Sequence, residues 1–596
     1  MVIGTEAPIR MDRVARIPNY EKEPVVVAGP SGGCVVGWDA IASRVGATGA
    51  RVIVVEAYPG VRREDLEEIA ERLRPEKAVF AGEAFKSVRE IDKMVAADLT
   101  DDPVFGMITG LELVDFFDIA VLSQLREYIS RARGQVIVYG AGASLVVSGD
   151  LLVYADLARW EIQQRQRSFQ EGNLGAQNED QDAFLKYKRG FFVDWRVADR
   201  HKVSLMDRID YLLDTSDQDR PKMVEAKAAW NALDKAVTGP FRVVPFFDPA
   251  PWGGQWMKTV CDLDPGPVNY GWCFDCVPEE NSLLLGFGTE RFEMPSINLI
   301  FRNPRQLLGG PVFERFGREF PIRFDFLDTM DGGNLSLQVH PLTGYIREQF
   351  GMTYTQDESY YLLDAGQDAT VYLGLKRGTD QSSMAEDLRR AQVGQFHFPD
   401  EKYVNRFPAR RHDHFLIPAG TVHCAGANCL VLEISATPYI FTFKLWDWDR
   451  LGLNGRPRPV HVDHGMRSIQ WHRETEYATT QLINQISPIS SGEGWRREKT
   501  GLHEAEFIET HRDWFIGKTP HEPELGVNVL NLVQGEEAVI ESLDGGFDPF
   551  VVHFAETFIV PQDAGPYTIT PHGIAKGTEC ATVKAFVRDE SAGTHG

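Results

Sequence analysis

GGNLSLQVHP, residues 332–341, decides how the larger part of this chain folds. Leu335, Leu337 and Val339 alternate with Ser336, Gln338 and His340. That period-two pattern predicts a strand with one apolar and one polar face, and it sends Gln338 and His340 to the same side. Two other stretches carry complementary groups. TQDESYYLLDA (355–365) opens a strand-like run with Glu358. FLIPAGTVHCAG (415–426) sets His423 behind the turn Pro418-Ala419-Gly420-Thr421, which aims a side chain at a barrel mouth. Two imidazoles, one carboxylate and one amide oxygen make a mixed nitrogen–oxygen set suited to a zinc-like divalent ion, with a position left for water or substrate. An ion held there polarises a carbonyl or hydroxyl. The competing interpretation is ordinary: a histidine on a strand is more often simply polar, and spacing alone does not separate the two.

QVHP, the acidic Glu358 and IPAGTVHCAG together resemble the type I mannose-6-phosphate isomerases. The likeness continues on both sides. RVVPFFDPAPWGGQWMKT (242–259) is similar to the family's Pro-rich opening strand and Trp-Gly-Gly turn. CLVLEISATPYIFTFKLWDWDR (429–450) and DHGMRSIQ (463–470) are family-like, and FIVPQDAGPYTITP (558–571) resembles its second cupin half. The resemblance covers about 242–590. It implies that Gln338, His340, Glu358 and His423 hold a catalytic zinc or another divalent metal. It also implies an enzyme that interconverts mannose 6-phosphate and fructose 6-phosphate through a cis-enediol. The second cupin half has no QVHP analogue, so a structural role is expected of it.

The chain departs from the family at two positions. The usual Lys two residues before the Glu ligand is Gln356, and the usual Arg of the TYR-type run is Lys444. Gln356 can be neither cation nor base, whereas Lys444 keeps a charge, as a point rather than a planar fork. Lys444 is therefore the first candidate for electrostatic stabilisation or proton transfer. Glu433 is the second, because VLE matches a family position near the site. Lys376 and Arg377, after the strand TVYLGL, are candidates to attract an anion. In RHDHF (411–415) alternation separates Asp413 from His412 and His414, which predicts strand entry rather than a second metal site. The departures also keep open a non-catalytic sugar-binding regulator, and an isomerase of another sugar or sugar phosphate.

Before residue 240 the pattern is different. VVVAG (25–29), RVIVVEAYPG (51–60), KAVFAG (77–82), QVIVYGAGA (135–143) and LLVYADLA (151–158) read as buried parallel strands. EDLEEIAERLR (64–74) and LSQLREYISRAR (122–133) carry helical periodicity between them, which predicts an α/β sheet covered on both faces. Gly29-Pro-Ser-Gly-Gly33-Cys34-Val35 lacks the Lys and Ser/Thr of a working P-loop. LLVYADLARWEIQQRQR (151–167) resembles the lid region of uridine-kinase-like enzymes, so residues 24–215 are expected to form a degenerate kinase-like domain or a plain scaffold. A bifunctional enzyme with phosphotransfer in this part is a third possibility. SFQEGNLGAQNEDQD (168–182) reads as an exposed loop, and KYKRGFFVDWRVADRHK (186–202) as a solvated strand that could offer Lys188, Arg189 and Arg196 to an anion. MDRIDYLLDT (206–215) and KMVEAKAAWNALDKAV (222–237) read as helices, closed by Thr238-Gly-Pro240.

The expected architecture is multidomain. An α/β parallel-sheet, P-loop-kinase-like domain takes residues 1–239. A metal-binding cupin with the helical insert QSSMAEDLRRAQ (381–392) takes 240–480, and a second cupin half takes 481–596, together an all-β double-cupin jelly roll. With 596 residues the chain is too long for one core. A net charge of −24 argues against nonspecific nucleic-acid binding, and no apolar run reaches membrane-spanning length. Seven cysteines in so long a chain do not make a disulfide framework, and Cys273-Phe-Asp-Cys276 is a lone CxxC. These features, with no secretory signal, lead to the expectation of a cytoplasmic protein whose partner is a small sugar or sugar phosphate.

Overall fold

The strand VIVVEA is buried at every position, as a strand covered on both faces must be. In the computed structural model, which describes residues 18–588 apart from 31, 395, 437–440, 452–456, 502 and 524–525, it lies inside a seven-stranded sheet, flanked by a strand on either side. The first eight strands are β1 (Val25–Gly29), β2 (Cys34–Val36), β3 (Val52–Ala57), β4 (Lys77–Phe80), β5 (Val136–Gly140), β6 (Leu151–Asp156), β7 (Tyr211–Asp214) and β8 (Lys222–Glu225). The sheet order is β2-β8-β7-β6-β3-β5-β4. Strands β3 to β7 run parallel, and β8 and β2 are antiparallel additions at one edge.

Three sequence expectations fail here. Strand β1 does not join this sheet; it pairs in parallel with Ser282–Phe287, far along the chain. Its burial alternates, with Val27 68% exposed, so it suits a half-covered edge and not the inside of a parallel sheet. The glycine-rich turn after it packs Gly29 and Gly33 on the Phe287 ring and leads into the edge strand β2. It therefore lacks the strand-to-helix setting of a phosphate loop. Residues 186–202 are not a solvated strand but helices Ala183–Arg189 and Trp195–Leu205 joined by a wide turn, with Lys186, Lys188, Arg189 and the whole turn buried. Their cations have protein partners: Lys186 donates to Glu179 O (2.5 Å), Arg189 to Leu174 O (2.8 Å) and to Asp92 (3.1 Å), and Arg196 to Phe191 O (3.0 Å). Finally, Tyr211–Asp214 and Lys222–Glu225 are strands, because pairing with β6 and with each other outweighs local helical periodicity.

The central unit follows the helix Ala226–Ala236. It contains β9 (Phe246–Asp248), β10 (Trp272–Cys276), β11 (Ser282–Phe287), β12 (Glu290–Pro295), β13 (Arg323–Asp328), β14 (Leu337–Val339) and β15 (Glu358–Ala365). These are followed by β16 (Thr370–Leu375), β17 (Val404–Pro408), β18 (His414–Ile417), β19 (His423–Ala425), β20 (Cys429–Ser435) and β21 (Phe443–Trp446). A six-stranded sheet, β18-β15-β20-β13-β10-β9, and a five-stranded sheet, β17-β16-β19-β14-β21, form a cupin-like pair, and the insert Gln381–Gln392 is helical. Two more antiparallel sheets, of six and four strands, lie between Ser487 and Val587.

One apolar core runs from the N-terminal sheet through the central unit, with a smaller one inside the C-terminal sheets. All seven cysteines are buried and unpaired, Cys273 and Cys276 on β10 among them. Among the described residues no helix is long and apolar enough to cross a membrane.

Candidate metal centre

Strand β14 is only three residues long, yet it orders the site. Gln338 faces His423 of β19 on one side and Lys444 of β21 on the other. Directly opposed residues share a sheet face, so Gln338 and His423 form one row; Lys444 pairs with Gln338 across a register shift at Leu337/Gln338, and the charges acting on its amine are those of Arg458, Asp447 and Arg450. The opposing sheet supplies Glu358, which sits beside Ser435 and Ile417, and one step along it the row Tyr360–Glu433–Asp325. His340 follows β14 and is fixed by its own carbonyl, which accepts the Gly420 N–H at 3.0 Å. The turn beneath it needs glycine: Gly420 has φ +88°, and an added Cβ would lie 2.8 Å from Ser468 O. Arg473 locks that turn by donating to Pro418 O, Ala419 O and Thr421 Oγ1, each at 2.7 Å.

His340, Glu358 and His423 converge, with candidate ligand atoms all within 4.8 Å of one another and side chains 0% exposed. His340 Nε2 lies 3.2 Å from Glu358 Oε2, and His423 Nε2 lies 2.8 Å from Glu358 Oε1. Each ring spends Nδ1 on a backbone carbonyl: His340 on Phe441 O and His423 on Thr421 O, both at 2.8 Å. With the N–H on Nδ1, both Nε2 lone pairs point at a carboxylate, and no donor among the described residues reaches His340 Nε2 or Glu358 Oε1. Lone pairs opposed at this range need either a proton or a metal cation between them, and carbonyl-anchored imidazoles are the usual support of a metal ligand. Gln338 completes the set. Its amide lies 3.2 Å from His423 Nε2, and a half-turn of the amide presents the oxygen. The residues present therefore fit a divalent ion, and no other cluster of this kind occurs among the described residues.

The surroundings tune the protons. Burial disfavours charge on Glu358, but the two histidines, when they carry positive charge, outweigh it and hold the carboxyl well below its ordinary range. Burial, with Asp325 and Glu358 nearby, pushes Glu433 well above its ordinary range. Burial, with Arg458 adding to it, pushes Lys444 down to about 8. Gln356 donates to Glu358 Oε2 at 2.9 Å and to Glu433 Oε1 at 3.4 Å, bridging the two carboxyls.

Other candidates lie elsewhere. Lys376 donates to the Glu401 carbonyl and Arg377 is exposed, so neither is aimed into the barrel. His412 bonds Tyr361 Oη at 2.8 Å, and His414 begins β18, as strand entry requires. Glu506, from the C-terminal unit, had no sequence signal. It is 2% exposed, neither carboxyl oxygen has a hydrogen-bond partner among the described residues, and burial with Asp357 close by pushes it well above its ordinary range.

In the N-terminal sheet the crevice at the carboxyl ends of β3 and β6, where the strand order reverses and α/β folds bind ligands, is filled by its own side chains. Lys202 Nζ meets both oxygens of Asp156 at 2.9 Å and Asn298 of the central unit at 3.1 Å. Arg159 pairs with Asp199 at 2.5 Å, and a Cβ on Gly60 would lie 2.9 Å from Ile162. Cys34 and Val35 sit on the far edge strand β2.

A protein-family profile described as "Domain of unknown function (DUF8485)" matches residues 37–238. The chain is 24% identical over 340 residues to the mannose-6-phosphate isomerase ManA of Bacillus subtilis (strain 168), spanning 57% of this chain and 95% of that protein. It is 25% identical over 241 residues to the probable mannose-6-phosphate isomerase GmuF of the same organism, spanning 39% and 69% respectively. To the mannose-6-phosphate isomerase of Streptococcus mutans it is 28% identical over 218 residues, 36% of this chain and 63% of that one. The crystal structure of the mannose 6-phosphate isomerase from Bacillus subtilis aligns over 59% of this chain and 100% of its own, with 19% identity and a TM-score of 0.47. The curated relatives found for this chain are thus mannose-6-phosphate isomerases by name, whereas the profile that matches 37–238 carries no described function.

Proposed function

We propose that this protein is a divalent-metal-dependent aldose–ketose isomerase, with zinc as the ion that suits its ligands. The substrate pair that its relatives' names support is mannose 6-phosphate and fructose 6-phosphate. The observation that carries the proposal is the Glu358 carboxylate, set 3.2 and 2.8 Å from two imidazole nitrogens whose rings are anchored through Nδ1.

Gln338, His340, Glu358 and His423 would hold the ion, which when bound supplies positive charge beside the reacting oxygens of the sugar. The chain's own groups handle the protons. Isomerisation takes a proton from C2 of the aldose and returns one to C1, while a hydroxyl proton passes from O2 to O1 through the cis-enediol. Lys444, with its pKa near 8, has a neutral fraction at physiological pH that accepts the carbon-bound proton and gives it back. Glu433, kept protonated, is suited to pass the hydroxyl proton. Gln356 takes no proton and positions the two carboxyls it bridges.

The test is turnover of metal-quantified protein on both phosphates and on the free sugars, with and without chelator. Chelator-sensitive turnover of the phosphates supports the proposal, and turnover of free sugars alone reassigns the substrate. The second reading, a non-catalytic sugar-binding regulator, is favoured by the closed burial of the ligands and by Gln356 in place of a cation. A full zinc complement without any turnover would establish it instead.

A further inference from the structure

The N-terminal unit reaches the metal centre through packed aromatic rings. The segment after helix Val88–Leu99 lies against the central unit, and its Phe105 is fully buried. The Phe105 ring stacks on Phe441 (centroids 5.4 Å apart, planes at 17°) and meets Phe350 and Phe443, each at 5.3 Å. Phe192, from the turn between the two buried helices, meets Phe441 edge-on at 6.3 Å. The segment is tied at both ends. Asp102 Oδ1 accepts the N–H groups of Val104 and Phe105 at 2.7 Å, Ile108 N donates to Phe350 O at 3.2 Å, and Thr109 N to Phe192 O at 3.0 Å. Phe441 lies before β21 begins, and its carbonyl is the one that accepts the Nδ1–H of His340. That bond fixes the tautomer and the aim of the ring.

We propose that Phe105 and Phe192 are positioning residues for the metal centre: by clamping Phe441 they hold the carbonyl that orients His340, so the N-terminal unit sets the metal affinity of a site it does not touch. The inference rests on the metal-centre assignment above. It gives the otherwise filled α/β unit a physical task, because the ring it clamps belongs to the residue whose carbonyl orients His340.

The experiment measures zinc affinity of the full chain by competition with a chromophoric chelator, together with the absorption spectrum of the cobalt-substituted protein. Losing the support of a ligating histidine typically weakens binding by about 10–100-fold, and that is the effect expected of Phe105→Ala. Phe105→Leu, which keeps apolar bulk, should restore most of the affinity. Phe117→Ala removes an equally buried ring elsewhere in the same unit, where it packs on Phe85, and should leave affinity and spectrum unchanged. If Phe105→Ala does not fold, Phe192→Leu carries the test with the same expected direction. Full affinity and an unaltered cobalt spectrum in the Phe105 variants would overturn the inference, as would an equal loss in Phe117→Ala. Wild-type protein that takes up no metal sinks the metal-centre assignment and this inference with it; wild-type uptake with indifferent variants sinks the inference alone.

Discussion

Glu358→Gln separates a metal centre from a buried ion pair, because the two predict opposite signs. In a metal centre the ion keeps both imidazoles neutral, and once it is stripped, above the raised His340 pKa, the Glu358 oxygens at 2.8 and 3.2 Å face lone pairs. In an ion-pair cluster, His340 carries a second proton on Nε2 and donates it to Glu358. Gln keeps the shape, removes the charge and supplies an NH2 donor to one Nε2. For a metal centre the stripped variant is therefore relieved of an uncompensated buried carboxylate. It should be more stable than stripped wild type by about 1–3 kcal/mol, the cost of an unsatisfied buried polar group. With zinc the order reverses, because a ligand is lost: zinc at a thousandfold excess over its Kd stabilises wild type by about 4.1 kcal/mol, and the variant forfeits most of that. For an ion pair, removing one partner costs about 3–5 kcal/mol with or without chelator.

The assay is denaturant unfolding of both proteins, zinc-loaded and stripped. The pH dependence adds a second sign. A proton held on His340 by Glu358 raises its folded pKa, so that stability is complete below the ordinary histidine value and lost as pH rises through the raised one. A metal-loaded site gains over the same range, because binding displaces protons. A variant weaker than wild type by the same amount in both states would refute the metal centre.

Lys444, pushed down to about 8, should give turnover that rises with pH and levels off above about 8. Lys444→Met should flatten that limb and lower kcat by about 10²–10⁴-fold with metal content intact; a persisting limb would assign it to another group. Gly420→Ala combines φ +88° with a Cβ 2.6 Å from Gln470 and 2.8 Å from Ser468 O. It should cost about 1–3 kcal/mol of stability and weaken zinc binding through the Gly420–His340 bond; unchanged zinc affinity would show that the turn does not place His340. Calorimetric titration with ATP and magnesium should give no binding heat, because Lys202 and Arg159 are already neutralised. Saturable heat that Cys34→Ser alters would revive the phosphotransfer hypothesis.

How much of this was legible in the sequence differs between the two halves. Strand β14 and the paired faces of Gln338 and His340 follow from alternation alone, and the insert Gln381–Gln392 follows from helical periodicity. The convergence of His340, Glu358 and His423 was implied by resemblance, because the strands that bring them together are far apart in sequence. The pairings of Gln338 with His423 and Lys444 and the row Tyr360–Glu433–Asp325 depend on strand register, and no local pattern states it. Glu506 is a glutamate in a polar loop until the C-terminal unit packs against the site. In the N-terminal half, Val25–Gly29 and Val52–Ala57 are both valine-rich, and the one-sided exposure of β1 in the fold tells them apart.

The basic run at 186–189 is the most instructive misreading. Lysines and arginines in such density suggest solvent or a bound anion, since a buried charge is costly unless it is satisfied. Here the lysines are satisfied by carbonyls, and Arg189 by a carbonyl together with Asp92 and Asp194. Lys188 donates to Thr100 O and Asp102 O, at the start of the segment that carries Phe105. The charge that looked like a ligand site is thus the anchor of the strap that reaches Phe441, and through its carbonyl His340.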